Sequence, residues 1–103
     1  MKQIVILAMI LSVLSPTPIA LAGDVAAGKA KAAEKRCFLC HGQDGISTGP
    51  LWPNLKGQKS GYLAKQLKAF RSGERKDKVM NGMAKDLSNT DPENLAAYFQ
   101  SLK

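Results

Sequence analysis

The stretch Cys37-Phe38-Leu39-Cys40-His41 holds both cysteines and the single histidine of a 103-residue chain. Two thiols three positions apart, followed at once by an imidazole, form a C-x-x-C-H motif. A thiol–disulfide redox motif would follow a strand in a βαβ unit, and no strand pattern surrounds this one. Zinc takes four ligands from two separated pairs or clusters, whereas here there is one contiguous group of three. A disulfide across a four-residue loop is the remaining structural reading. The spacing suits a different chemistry. Two thiols near the end of a helix can each add across a vinyl group of one haem, and the adjacent imidazole then offers an axial nitrogen to the iron. Cys37 and Cys40 are therefore the candidates for covalent attachment, and His41 is the candidate metal ligand.

Outward from the motif the pattern is helical. Asp24 can N-cap VAAGKAKAAEKRC, rich in the helix formers Ala and Lys. Ser60 can cap GYLAKQLKAFRSG, where Leu63, Leu67 and Phe70 share one face, Lys65 and Lys68 point away, and Gly73 ends the run. In PENLAAYFQSL, Leu95, Tyr98, Phe99 and Leu102 again make one face. Pro92 suits a first turn capped by Thr90 or Asp91; Thr90 to Glu93 has capping-box spacing, and Ser88 is an alternative cap. HGQDGISTGPLWPNLKGQK, between the first two helices, has four Gly, two Pro and no periodicity. A loop of that length in a compact domain is usually functional. VMNGM, holding Met80 and Met83, reads as a polar loop before the last helix. With His41 used, a soft thioether is the natural second axial ligand, since it favours ferrous iron and raises the reduction potential. Either Met could instead be core filler, and spacing does not choose between them.

The chain opens with Met1-Lys2-Gln3, an apolar run from Ile4 to Leu14, Ser15-Pro16-Thr17-Pro18, and Ala20-Leu21-Ala22. This is the order of a signal peptide with an A-x-A cleavage site. The run is shorter than the roughly 20 residues a membrane span needs, and two prolines follow it. Residues 1–22 are thus expected to be a signal peptide and residues 23–103 the functional domain, exported and with no stable membrane insertion after cleavage. That domain keeps 14 of 15 basic residues and all 8 acids, a formal charge of +6. It is small enough that something besides side chains is expected to complete its core. The basic surplus fits acidic redox protein partners, above all at Arg71 to Lys78, where four cations adjoin the Met stretch. Nucleic acid is excluded as a partner by export and by the absence of a reading motif.

Three stretches carry a family resemblance when taken in order: GDVAAGKAKAAEKRCFLCHGQDG, WPNLKGQKSGYLAKQLKAFRSGERKD and MNGMAKDLSNTDPENLAAYFQSL. Together they resemble the class I cytochromes c over the whole of residues 23–103. The resemblance is to the small bacterial periplasmic monohaem type, similar to the c-five-five-three type and to half-domains of the two-haem c-four type. It implies an all-α fold of three main helices and long loops around one covalent haem c. It implies Met80 over Met83 as distal ligand, because an L-S-x-x-D segment follows that ligand in the family and Leu87 and Ser88 stand seven and eight residues after Met80. It places a carbonyl acceptor for the His41 ring N–H twelve residues on, at Pro53, with Pro50 as the competitor. Gly28 would face Tyr98 or Phe99 where the first and last helices cross. Trp52 would be cavity wall, and Tyr62 either a propionate partner or packing. Pro92 stands where relatives carry an aliphatic residue. The implied role is a periplasmic one-electron carrier, not an enzyme, with His/Met ligation. The alternative is a haem c subunit accepting electrons from a partner dehydrogenase. An open iron doing peroxidase-like work is disfavoured by the two available methionines.

Overall fold

The computed structural model describes residues 2–5, 8, 10, 12 and 23–103. The Ala20-Leu21-Ala22 cleavage site expected from the sequence lies outside them. Five helices follow in order: α1 (Val25–Glu34), α2 (Phe38–His41), α3 (Ser60–Ser72), α4 (Lys78–Ala84) and α5 (Asp91–Ser101). Among the described residues there is no strand.

The three main helices stand where the periodicity places them, as α1, α3 and α5. Asp24 caps α1 by accepting from the backbone N–H of Ala27 at 3.1 Å, which satisfies a donor the helix itself cannot. Gly73 ends α3 in the left-handed conformation at φ 81°, where a side chain would be strained. Ser60 is not a cap: it is the first residue of α3, and its N–H is satisfied instead by Gln100 Oε1 at 2.9 Å. At α5 the reciprocal bonds belong to Ser88 and Asp91, not to Thr90 and Glu93. The Ser88 N–H donates to Asp91 Oδ2 at 2.8 Å, and the Asp91 N–H donates to Ser88 Oγ at 3.3 Å. The helix then starts at Asp91 with Pro92 inside its first turn, where a missing N–H costs nothing.

Two short helices depart from the sequence reading. The attachment motif itself coils into α2, and the Met stretch, read as loop, is α4. Asp77 explains α4: its Oδ2 accepts from Val79 N–H at 3.0 Å and Met80 N–H at 2.8 Å. An Asp capping seven residues is a signal that hydrophobic periodicity does not register.

α1 packs across α5, α5 against α3, and α3 against α4. The buried core is Ala32, Leu63, Phe70, Ala84, Leu87, Leu95, Ala96 and Phe99. The α1–α5 crossing is close because Gly28 has no side chain. A Cβ there would lie 1.9 Å from the Asn94 carbonyl oxygen and 2.8 Å from Tyr98 Cβ. Of the two aromatics proposed for this crossing, Tyr98 is the one that meets Gly28. Asp24 N–H donating to Asn94 Oδ1 at 2.8 Å fastens the same contact.

Candidate haem-binding site

The sequence motif is delivered by a turn. After α1, Arg36 takes a positive φ of 56°, uncommon for a side-chain-bearing residue. It turns the chain so that Cys37 packs against the core. The thiols of Cys37 and Cys40 are free, which removes the disulfide reading. Burial pushes the Cys37 thiol up from its ordinary pKa, against the lowering pull of its own backbone and of Lys35. Among the described residues no three His, Cys, Asp or Glu side chains converge as a metal site would require, which argues against zinc.

His41 is buried, with 8% of its surface exposed. Its Nδ1 donates to the Pro53 carbonyl at 2.8 Å. A carbonyl only accepts, so the ring hydrogen sits on Nδ1 and the Nε2 lone pair is left available. Among the described residues no group hydrogen-bonds Nε2. Pro53, not Pro50, holds the ring.

The loop from Gly42 to Lys59 brings Pro53 into place. Gly45 stands at φ 83°, and its carbonyl accepts from Leu55 N–H at 2.7 Å and Lys56 N–H at 3.0 Å. Asn54 Oδ1 accepts from Ser47 N–H at 2.7 Å, and the Thr48 N–H returns to the Cys40 carbonyl at 3.1 Å. The loop is therefore fastened to α2 and to itself on both sides of Pro53. No periodic pattern could show this, because these bonds join turns and most of them are backbone to backbone.

Cys37, Cys40, His41 and Pro53 face one cavity of about 730 Å³, within the ~300–1,000 Å³ range of small-molecule and cofactor sites. Met80 and Met83 both line it, one helical turn apart on α4. So do Leu63, Phe70, Leu95 and Phe99, which are half of the buried core. Walls of this kind suit a large apolar occupant. Trp52 and Tyr62 line it as well, each roughly half exposed; the Trp52 ring lies close to Gly49, at 3.2 Å from where a Cβ would be. Tyr62 makes no side-chain hydrogen bond among the described residues.

All-helical architecture, a C-x-x-C-H turn at one wall of an apolar cavity and methionines at another define a c-type cytochrome. Residues 25–103 match the Cytochrome c family, and the chain belongs to it. It is 45% identical over 83 residues to cytochrome c-554(548) of Halomonas halodenitrificans, a match covering 78% of this chain and 98% of that protein. It is 43% identical over 68 residues to a thiosulfate dehydrogenase electron acceptor of Thiomonas intermedia, covering 65% of this chain and 31% of that one. Among solved structures, reduced cytochrome c4 from Pseudomonas stutzeri superposes with a TM-score of 0.73 at 44% identity, covering 80% of this chain. The chain spans 47% of that cytochrome c4, as a half-domain would.

Family membership makes the chain an electron carrier with a covalently bound haem c. The donor set fits that group: two free thiols, an imidazole with an unengaged nitrogen and thioethers, all on one apolar cavity. Among the described residues no helix is long and apolar enough to cross a membrane.

Proposed function

We propose that residues 23–103 form a periplasmic one-electron carrier, with haem held through Cys37 and Cys40 and its iron ligated by His41 and Met80. The bound haem supplies a ferric/ferrous couple. The single observation that carries the reading is the His41–Pro53 bond, which fixes the tautomer and leaves one nitrogen free toward the cavity. By drawing on the ring N–H, the Pro53 carbonyl makes the imidazole a stronger donor. The apolar walls keep water from the site and disfavour the extra charge of the ferric state. His41 and Met80 would hold the iron between them and leave no place for a substrate, so the chain would carry electrons rather than catalyse bond chemistry. Met80 is favoured over Met83 because it packs against the core and its backbone is pinned by Asp77.

Residues 1–22 are a signal peptide on this reading. Ile4, Val5 and Ile10 are exposed and take no part in the core. The partners are acidic redox proteins. Lys35, Arg36 and Lys76 line the cavity, and Lys76 and Lys78 are exposed beside it. Their charge would speed encounter while the interface itself stays small.

The test is the optical spectrum of the exported protein, extended to the near infrared. A ferric Met-to-iron charge-transfer band is expected; Met80→Ala should abolish it, and Met83→Ala should leave it. A high-spin spectrum that shifts with carbon monoxide would refute the His/Met reading. A second reading, a haem c subunit taking electrons from a dehydrogenase, is favoured by one feature. Leu39, Leu51, Trp52 and Val79 are exposed around the cavity, a patch a fixed partner would cover.

A further inference from the structure

We propose that Asn81 is the positioning residue for Met80: its side-chain amide ties the connection between α3 and α4 into one unit and so holds Met80 at the cavity. The inference rests on the reading of Met80 as an iron ligand.

The connection runs from Gly73 to Asp77; Asn81 bonds to it at two places and to the end of α3 at a third. Asn81 Oδ1 accepts from the Asp77 N–H at 2.7 Å. Asn81 Nδ2 donates to the Phe70 carbonyl at the end of α3 and to the Arg75 carbonyl in mid-connection, both at 2.8 Å. The amide orientation is unambiguous, because two acceptors face Nδ2 and a donor faces Oδ1. All the hydrogen-bonding capacity of the amide that reaches this connection is spent on backbone.

Met80 precedes Asn81 directly and shares its restraints. Asp77 receives Asn81 Oδ1 at its own N–H while its carboxylate accepts the Met80 N–H at 2.8 Å. Pulling Met80 off the cavity by a movement of α4 would break the bonds to Phe70 and Arg75 as well. The anchor at the α3 side is itself held: Phe70 is buried, its ring carries the Arg75 guanidinium at 4.5 Å, and Arg75 also donates to Gln66 Oε1 at 2.8 Å. The α3–α4 contact has little else to fix it, since α4 contributes only Ala84 to the fully buried core. Met80 packs against the core only in part, so these hydrogen bonds do much to set where it sits.

The experiment measures imidazole binding to the ferric haem-loaded protein, with the near-infrared band and far-UV circular dichroism followed together. Imidazole must displace the Met ligand, so its apparent affinity rises with the fraction of molecules in which that ligand is released. Asn81→Leu keeps the shape and removes all three bonds; Asn81→Asp keeps the acceptor and sets a charge against two carbonyl oxygens. Both should bind imidazole roughly ten- to thirtyfold more tightly than the native chain, with helix content unchanged. Asn81→Ser, too short to span the three groups, is read in the same way, so a failure of Asn81→Leu to fold does not shield the idea. Asn94→Ala, which breaks the Asp24 bond at the α1–α5 crossing, is the control and should stay within twofold. Native-like imidazole affinity in the Asn81 variants, with the band lost in Met80→Ala, overturns the positioning role alone. A band that survives Met80→Ala overturns the ligand reading and this inference with it. An equal rise in Asn94→Ala shows general loosening and also overturns it.

Discussion

Gly28→Ala is the sharpest test of how this fold is held. The added methyl would sit 1.9 Å from the Asn94 carbonyl oxygen, at least about 1 Å inside the shortest separation that real Cβ atoms show. The obstacle is helix backbone, which cannot rotate aside as a side chain would. α1 and α5 must therefore move apart by about that distance. A gap of ~0.5–1 Å forfeits a quarter to a half of each dispersion contact across it, and the crossing includes Ala32, Leu95 and Ala96. Overpacking of this kind costs about 1–3 kcal/mol or more, and the lost contacts add to it. Against this stands a helix-propensity gain of about 1 kcal/mol for Ala over Gly. With the lost contacts counted, the net is a loss of roughly 1–3 kcal/mol, which for a domain of this size lowers Tm by roughly 4–24 °C. Gly61 supplies the comparison. It lies in α3, and beyond its own stretch of helix nothing comes within 4 Å of where its Cβ would be. The same substitution there should raise stability by about 0.5–1 kcal/mol. Thermal unfolding of both haem-loaded variants by far-UV circular dichroism decides the matter. A Gly28→Ala Tm within about 3 °C of the native value, or a fall in Gly61→Ala matching that of Gly28→Ala, would refute the argument.

Further outcomes follow from other contacts. Lys68 pairs with Glu93 and, by its hydrogen bond, holds the Glu93 carboxyl below its ordinary pKa. A depressed carboxyl stabilises the fold above its unfolded pKa and ceases to do so as pH falls through the folded one. Glu93→Gln should therefore cost up to ~1 kcal/mol near neutral pH, the range of partly exposed pairs, and nothing near pH 2; equal losses at both pH values in denaturant titrations would refute the pairing. Electron transfer to an acidic partner should slow as ionic strength rises from about 0.01 to 0.15 M, because the screening length falls from about 30 to 8 Å. Lys76→Glu and Lys78→Glu should flatten that dependence in stopped-flow traces. Arg71 donates to the Ser88 carbonyl at 2.8 Å. Arg71→Ala should destabilise by about 1–2 kcal/mol, a charged donor's contribution, read as a lower midpoint in guanidinium; an unchanged midpoint would show that water replaces the bond.

Much of the molecule is legible in the linear order of residues, and the reason is locality. C-x-x-C-H is legible because two thiols for attachment and an imidazole for the iron stand within one turn of chain, so the chemistry is contiguous. α1, α3 and α5 are legible because a helix buried on one face must repeat its apolar residues at helical spacing, as Leu63, Leu67 and Phe70 do. α4 was hidden because a seven-residue helix carries too few turns for periodicity, and a side-chain cap from Asp77 starts it. The box at Ser88 and Asp91 was ambiguous because Thr90 and Glu93 have the same spacing.

The cavity existed in the sequence only as a missing core. The resemblance pointed to Pro53 as acceptor of the His41 ring N–H, and the fold delivers it because Gly45 turns the loop back on itself. Tertiary structure alone decided that Tyr98 rather than Phe99 meets Gly28, because their order on α5 does not say which one turns toward α1. It alone placed Met80 and Met83 on one wall and Asn81 across the α3–α4 connection. Residues near in sequence announce their chemistry through spacing. Residues brought together from distant turns meet through contacts such as His41 Nδ1 with Pro53 and Asn81 Nδ2 with Phe70, in which one partner is a backbone carbonyl and carries no side-chain signature.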